Sequence, residues 1–200
     1  KAGTLTILAG GKKEDFDACV PVFEAMGKNI NYEGKAGNGQ HTKMCNQIAI
    51  AGALAGACEA MVYAKNTGLD VDTMLKSIST GAAGSAQMNN VASKAAKDDY
   101  APGFFLKHFI KDMGIADEEA LAADTRLGGL EDVLGMAKKL ESEGLGDLGT
   151  QALIKYYKWR VMRLDETVIV LNRLLPSRRI KSKILFISSR SYAAGDIFVF

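Results

Sequence analysis

The 200 residues, 48% of them apolar and 24% charged, with a net charge of +2, have the balance of a globular, soluble chain rather than a disordered one. The longest apolar run, Ile48 to Cys58, falls short of a bilayer span and is rich in Ala and Gly, so no membrane partner is expected. Charge is unevenly spread, with a slight acidic excess up to Trp159 and a basic segment over 160–200; a solvated tail is the commoner explanation of such a segment, so no nucleic-acid partner is expected either.

TLTILAG, Thr4 to Gly10, is a short β-branched and apolar run that ends in a Gly pair and reads as a strand entering a turn. Phe16, Cys19, Val20, Phe23 and Met26 then repeat in steps of three and four, the stripe of an amphipathic helix that Gly27 is expected to end, and NINYEG reads as a second strand. Such a unit is too small to bury both of its faces, so it is expected to complete a sheet whose other strands lie upstream. One long helix is predicted from Gly39 to about Asn66, with Gly52 and Gly56 one turn apart, where missing side chains would let another helix approach. Further helices are predicted from Asp70 to Ser79, from Ser85 to about Lys97 and from Phe105 to about Asp124. Another carries Leu127, Leu130, Leu134, Ala137 and Leu140, and Asp147 is expected to cap a last one reaching Trp159. No strand-like alternation interrupts residues 39–159, and the chain is read as mainly α.

Cys19, Cys45 and Cys58 are odd in number, lack metal-type spacing and sit among apolar residues, the pattern of buried thiols in a reducing compartment; an intracellular, cytoplasmic location is favoured over an organelle. The chain begins with Lys1 and shows no signal or transit segment, so its true start is expected to lie upstream.

The chemistry concentrates at the start of the long helix. Lys43, Asn46 and Gln47 point to one side of it, beside a terminus that carries partial positive charge and stabilises a nearby carboxylate. A partly desolvated ammonium in that position gives up its proton more readily, and the carboxamides can fix a hydroxyl or carboxylate without adding charge. On spacing alone, a surface lysine whose polar neighbours face water is the commoner explanation. Lys107 and Lys111 lie four apart on a second helical face able to meet anions. His41 and His108 have no partner at metal spacing, and no metal is expected. A dinucleotide site needs a strand, a Gly-rich turn and a helix N-terminus; GAAGSAQ, Gly81 to Gln87, joins two helical segments and is not read as a cofactor loop.

GNGQHTKMCNQ resembles the catalytic-helix motif of the β-hydroxyacid dehydrogenases, which include 3-hydroxyisobutyrate dehydrogenase and the glyoxylate/succinic semialdehyde reductases. GTLTILAGG resembles the segment after that family's substrate-binding Ser-Gly-Gly motif, and FFLKHFIKDMGIA its later Lys-Asp motif; the likeness runs from about residue 2 to 159. It implies a helical bundle like the C-terminal domain of 6-phosphogluconate dehydrogenase, built around a long central helix over 34–159. A remnant of a Rossmann domain over 1–33 would precede it and an atypical basic tail over 160–200 would follow.

By the same resemblance Lys43 is the catalytic proton donor and acceptor, Asn46, Gln47, Phe104 and Asp112 contact or enclose substrate, and Lys111 lies near the cofactor. The cofactor is NAD or NADP, bound mainly by residues outside this chain, and the substrate a small 3-hydroxy acid, the corresponding semialdehyde, or glyoxylate. The family usually has Asn where this chain has Gln47. Asn46 stands where 6-phosphogluconate dehydrogenases place a His, which argues against a sugar phosphate, and Lys43 argues against the imine-reducing relatives. Long Ala/Gly helices of this family commonly form intersubunit contacts, so a homo-oligomer is expected. The alternative is a truncated, catalytically inactive association module.

Overall fold

A strand, a helix and a second strand open the fold: β1 (Leu5–Ala9), α1 (Lys13–Glu24) and β2 (Gly27–Tyr32), with the strands parallel and Ile7 opposite Ile30. The structure, a computed structural model, describes residues 3–157, so the basic segment expected over 160–200 lies outside the described residues. Phe16 on α1 packs 5.1 Å from the Tyr32 ring and 6.0 Å from Phe23, as the stripe requires. Yet no α1 residue is buried, because two strands cover only part of one helix. Gly27 does not end α1. It is the first residue of β2, where a Cβ would collide with the Leu5 carbonyl, so the glycine serves the strand pairing.

The long helix α2 (Asn38–Asn66) forms as its composition predicts and packs against β1 and against the later helices Val71–Ile78, Leu106–Ala122 and Gly128–Ser142. Its buried stripe is Gln47, Ala51, Leu54, Ala57, Cys58, Met61 and Ala64, at the steps of three and four expected of one helical face. Gly52 and Gly56 are not on that stripe. Both lie outside the buried core, and a Cβ on either would meet nothing within 4 Å, so no helix of the described residues approaches them. The two glycines cost α2 roughly 2 kcal/mol against alanine, which burial of Leu54 and Met61, at about 1.5–3 kcal/mol each, offsets. By length and composition α2 is also long enough to cross a membrane, which its longest unbroken apolar run does not convey; here it supplies one wall of the core.

Asp70 caps α3 (Val71–Ile78), its carboxylate accepting from the Thr73 N–H at 2.8 Å; hydrogen bonding from the Thr73 hydroxyl first, and from that N–H second, holds the carboxyl below its ordinary pKa. The predicted helix from Ser85 divides into a π-helical segment, Gln87–Ala92, and a short α4 (Ser93–Ala96), both anchored by buried Met88, Ala92 and Ala95. Then follow α5 (Leu106–Ala122), α6 (Gly128–Ser142) and a 3₁₀ turn, Thr150–Leu153, that continues as α-helix over 154–157. Asp147 caps nothing: Gly149 precedes the 3₁₀ turn, and Asp147 instead pairs with Lys107 at 2.6 Å. Leu54, Leu106, Phe109, Met113, Leu140 and Leu153 make up the centre of the core.

The expectation of three buried thiols holds only for Cys58; Cys19 and Cys45 are exposed, the first on the uncovered α1 and the second on the outer face of α2. Burial, with the neighbouring Glu59 charge, pushes the Cys58 thiol up from 9.0 to about 12. Because the folded value is raised, its stabilisation is complete below pH 9 and is lost as pH climbs toward 12. Iodoacetamide at about pH 8 is therefore expected to modify Cys19 and Cys45 in the folded chain and Cys58 only after denaturation. Mass spectrometry of the modified peptides checks this, and equal rates at all three would contradict it.

Candidate active site

Gly39 fixes where the first turn of α2 lies. A Cβ there would collide with the Leu8 carbonyl, so the first turn of α2 lies directly on the end of β1. Lys43 and Gln47 then follow at the four-residue spacing that stacks side chains on one face. The Lys43 Nζ donates to Gln47 Oε1 at 3.1 Å, and the adjacent Asn46 Nδ2 donates to the same oxygen at 2.9 Å. From its other end, Gln47 Nε2 donates at 2.7 Å to Asp112 Oδ2 on α5. Asp112 Oδ1 faces Lys111 Nζ at 3.2 Å.

The chain of contacts thus runs from Lys43 through Gln47 and Asp112 to Lys111 and joins α2 to α5. Its members differ in burial: Gln47 is 1% exposed and the Asp112 side chain 15%, whereas the Lys111 side chain is 68% exposed. A sheltered carboxylate without partners would be costly, and here both oxygens have one. Gln47 also explains why an amide one methylene longer than Asn suits this position: it reaches back one turn to Lys43 and across to the next helix.

Beside this network lies a cleft of about 400 Å³, whose walls include Lys43, Gln47, Ile50, Phe104 and Phe109. That volume falls within the usual range for small-molecule sites. Phe104, 40% exposed, stands edge-on to Phe109 at 6.3 Å and near His108 at 6.2 Å. The loop leading to it is held by Gln151, 4% exposed, which donates to the carbonyls of Asp99 and Ala101 at 3.1 and 2.9 Å. The Thr150 N–H donates to the Phe104 carbonyl at 3.1 Å.

Of the six residues singled out from sequence, Lys43, Gln47 and Phe104 line the cleft, while Asn46, Lys111 and Asp112 lie beside it and reach it only through Gln47. Lys107 and Lys111 share a helical face, but each is paired with a carboxylate, Asp147 and Asp112. His41 is exposed and His108 packs edge-on against Phe105; among the described residues no three His, Cys, Asp or Glu side chains cluster as metal ligands would. Gln87, Asn90, Lys94, Thr150 and Gln151 also line the cleft and carry no signal of their own in the sequence. The one cue is spacing: 87, 90 and 94 are polar on one face while 88, 92 and 95 are apolar on the other.

The spacing GxGxxG does occur, in GLGDLG from Gly144 to Gly149. It follows helix α6 rather than a strand, and its carbonyls at Gly146 and Leu148 accept the N–H groups of Lys107 and Leu106 at the start of α5. It therefore satisfies a helix terminus and lacks the strand-to-helix context of a dinucleotide loop.

A family profile described as the NAD-binding domain of NADP-dependent 3-hydroxyisobutyrate dehydrogenase matches residues 37–157, and one described as the NAD-binding domain of 6-phosphogluconate dehydrogenase matches residues 1–34. The chain is 51% identical over 155 residues to an uncharacterized oxidoreductase of Bacillus subtilis, a match covering 78% of this chain and 54% of that protein. It is 34% identical over 161 residues to glyoxylate/succinic semialdehyde reductase 1 of Arabidopsis thaliana, covering 78% and 54%. Among solved structures, Mycobacterium tuberculosis 3-hydroxyisobutyrate dehydrogenase with L-serine superposes with a TM-score of 0.72 at 25% identity, covering 77% of this chain and 55% of that one. The chain thus spans about half the length of the curated relatives it matches. A profile match over more than half of the chain shows that it belongs to the β-hydroxyacid dehydrogenase family, whose cofactor is NAD(P).

Proposed function

We propose that the protein acts as an NAD(P)-dependent oxidoreductase on small 3-hydroxy acids or on the corresponding semialdehydes or glyoxylate, with Lys43 moving the proton. The observation that carries this is the hydrogen-bonded chain from Lys43 through Gln47 to Asp112, which holds an amine on the wall of a cleft bounded by Phe104. A neutral amide oxygen fixes the amine without placing a charge against it. Its remaining hydrogens are left for a substrate oxygen, to which Lys43 gives a proton in reduction and from which it takes one in oxidation. NAD(P), when bound, supplies or receives the hydride.

The residues present fit the reacting end of such a cofactor: the cleft offers lysines, carboxamides and an aromatic wall, and no carboxylate of the described residues lines it. Lys111, exposed and anchored at Asp112, is the residue that would hold the cofactor. Phe104 walls the cleft against water. Gln47 and Asp112, whose polar atoms are engaged with each other and with the two lysines, act by positioning Lys43, and Asn46 steadies Gln47 from the side. In this reading the helices from Asn38 onward are a bundle of the 6-phosphogluconate dehydrogenase C-terminal type, and residues 1–33 are the end of a cofactor-binding domain; the two family profiles, which meet between residues 34 and 37, support that division. The protein works inside the cell, where its free cysteines stay reduced.

Copies of the chain associate through the outward face of α2, where Ala49, Gly52 and Gly56 leave room for a second helix and Tyr63 is 65% exposed. A second reading, that the 200-residue chain is an inactive association module, draws on the same face; titration with NADH and NADPH separates the two, since micromolar binding contradicts it.

Lys43→Ala is expected to lower kcat on the order of 10²-fold or more in the protein carrying its full dinucleotide-binding half. Turnover of 3-hydroxyisobutyrate, L-serine, succinic semialdehyde and glyoxylate followed by nicotinamide absorbance tests this, and near-normal rates would exclude the role. Asp112→Ala strands the buried Gln47 amide and is expected to cost about 1–3 kcal/mol in urea unfolding, with Asp112→Asn milder because it still offers an acceptor. Gly56→Leu meets open space within the chain, so the fold should survive while light scattering reports a shift from oligomer to monomer.

A further inference from the structure

One wall of the cleft has no regular structure of its own to hold it. Residues 99–104, which end in Phe104, belong to neither helix nor strand, so their course is set from outside. It is set by residues 149–151. The N–H groups of Gly149 and Thr150 donate to the Tyr100 and Phe104 carbonyls at 2.9 and 3.1 Å, and Gln151 Nε2 donates to those of Asp99 and Ala101 at 3.1 and 2.9 Å. A carbonyl only accepts, so these two partners also fix the Gln151 amide with its nitrogen toward the segment.

Gly149, the last glycine of GLGDLG, supplies the room which that amide occupies. The three atoms nearest to a Cβ at Gly149 would be Oε1, Cδ and Nε2 of Gln151, and the added methyl would collide with them. Its φ of −67° suits any residue, so backbone conformation does not call for glycine at this position. Gln151 in turn is 4% exposed and lines the cleft, as do Thr150 and Phe104. The glycine and the amide therefore work as one device, a clamp on the segment that carries the aromatic wall.

We propose that Gln151, seated on Gly149, is a positioning residue for the reaction: it holds residues 99–104 so that Phe104 stands as a preformed wall before substrate arrives. The kinetic consequence rests on the hydroxyacid reading of the cleft. A wall that meets the substrate in its ground state and its transition state alike acts on KM and leaves kcat nearly untouched.

Gly149→Ala is the deciding variant, because the amide it displaces is the end of a flexible side chain and can move while the core stays folded. In the protein carrying its full dinucleotide-binding half, with 3-hydroxyisobutyrate, L-serine, succinic semialdehyde and glyoxylate as substrates, Gly149→Ala should raise KM about tenfold and keep kcat within about threefold. Gln151→Ala should do the same. Adding Gly149→Ala to Gln151→Ala should change nothing further, since the methyl then has no amide to displace, and adding it to Phe104→Ala should leave KM where Phe104→Ala alone puts it. Hydrogen exchange at the Thr150 amide should quicken about tenfold in Gly149→Ala while the buried middle of α5 keeps its protection. Unchanged exchange at Thr150, an unchanged KM, a fall in kcat with KM held, or effects that multiply in either double variant overturns this inference and leaves the hydroxyacid reading standing. A wild-type protein that turns over none of the four compounds with NAD(H) or NADP(H) overturns that reading and the kinetic role with it.

Discussion

The amide of Gln47 is the one polar side chain of α2 that is fully buried, and the rest of the site is arranged around it. An unpaired amide in that position would cost about 1–3 kcal/mol, a sizeable part of the net stability of a small domain. Its oxygen serves two donors on its own helix and its nitrogen serves a carboxylate on the next. The same three contacts that remove the penalty determine where the Lys43 amine stands and how α5 lies on α2. Core packing by Leu54, Phe109 and Met113 brings the two helices together, and the amide bridge sets a polar register between them that apolar contacts do not specify.

Electrostatics in the site follow from this arrangement. Asp112 contributes a negative charge one residue removed from Lys43, and Lys111 balances it at the surface. A polar but uncharged group therefore sits between the Lys43 amine and the only carboxylate in the network. The cleft wall, free of acidic side chains among the described residues, presents an environment in which an anion is stabilised on entry.

Much of this is legible in the amino-acid sequence wherever the signal is local. The limits of α2 follow from the cluster Asn66, Thr67, Gly68 and from apolar periodicity, and Asp70 starts α3 as an acidic residue before a helical run commonly does. The start of α2 stands out because residues four apart must share a face. Misreadings arise where the deciding partner is distant along the chain. Gly27 has the look of a helix stop, but the Leu5 carbonyl accounts for it; Asp147 has the look of a cap, but Lys107 takes its carboxylate. Cys19 and the Gly52–Gly56 pair carry patterns usual for buried positions and lie on surfaces that nothing in the described chain covers. Lys94, in the short α4 after the π-helical turn, is legible only as one polar position of an amphipathic segment, because the cleft it borders is completed by residues distant along the chain.

Gly39 has a mechanical consequence. With the Leu8 carbonyl seated where its side chain would be, the end of β1 and the opening turn of α2 are in backbone contact, with no compressible side chain between them. A joint without such padding transmits displacement instead of absorbing it. Any tilt of the strand pair is handed directly to the helix that carries the lysine four residues further on, so the pivot of a jaw-like movement has to lie elsewhere, and the amine travels with the sheet.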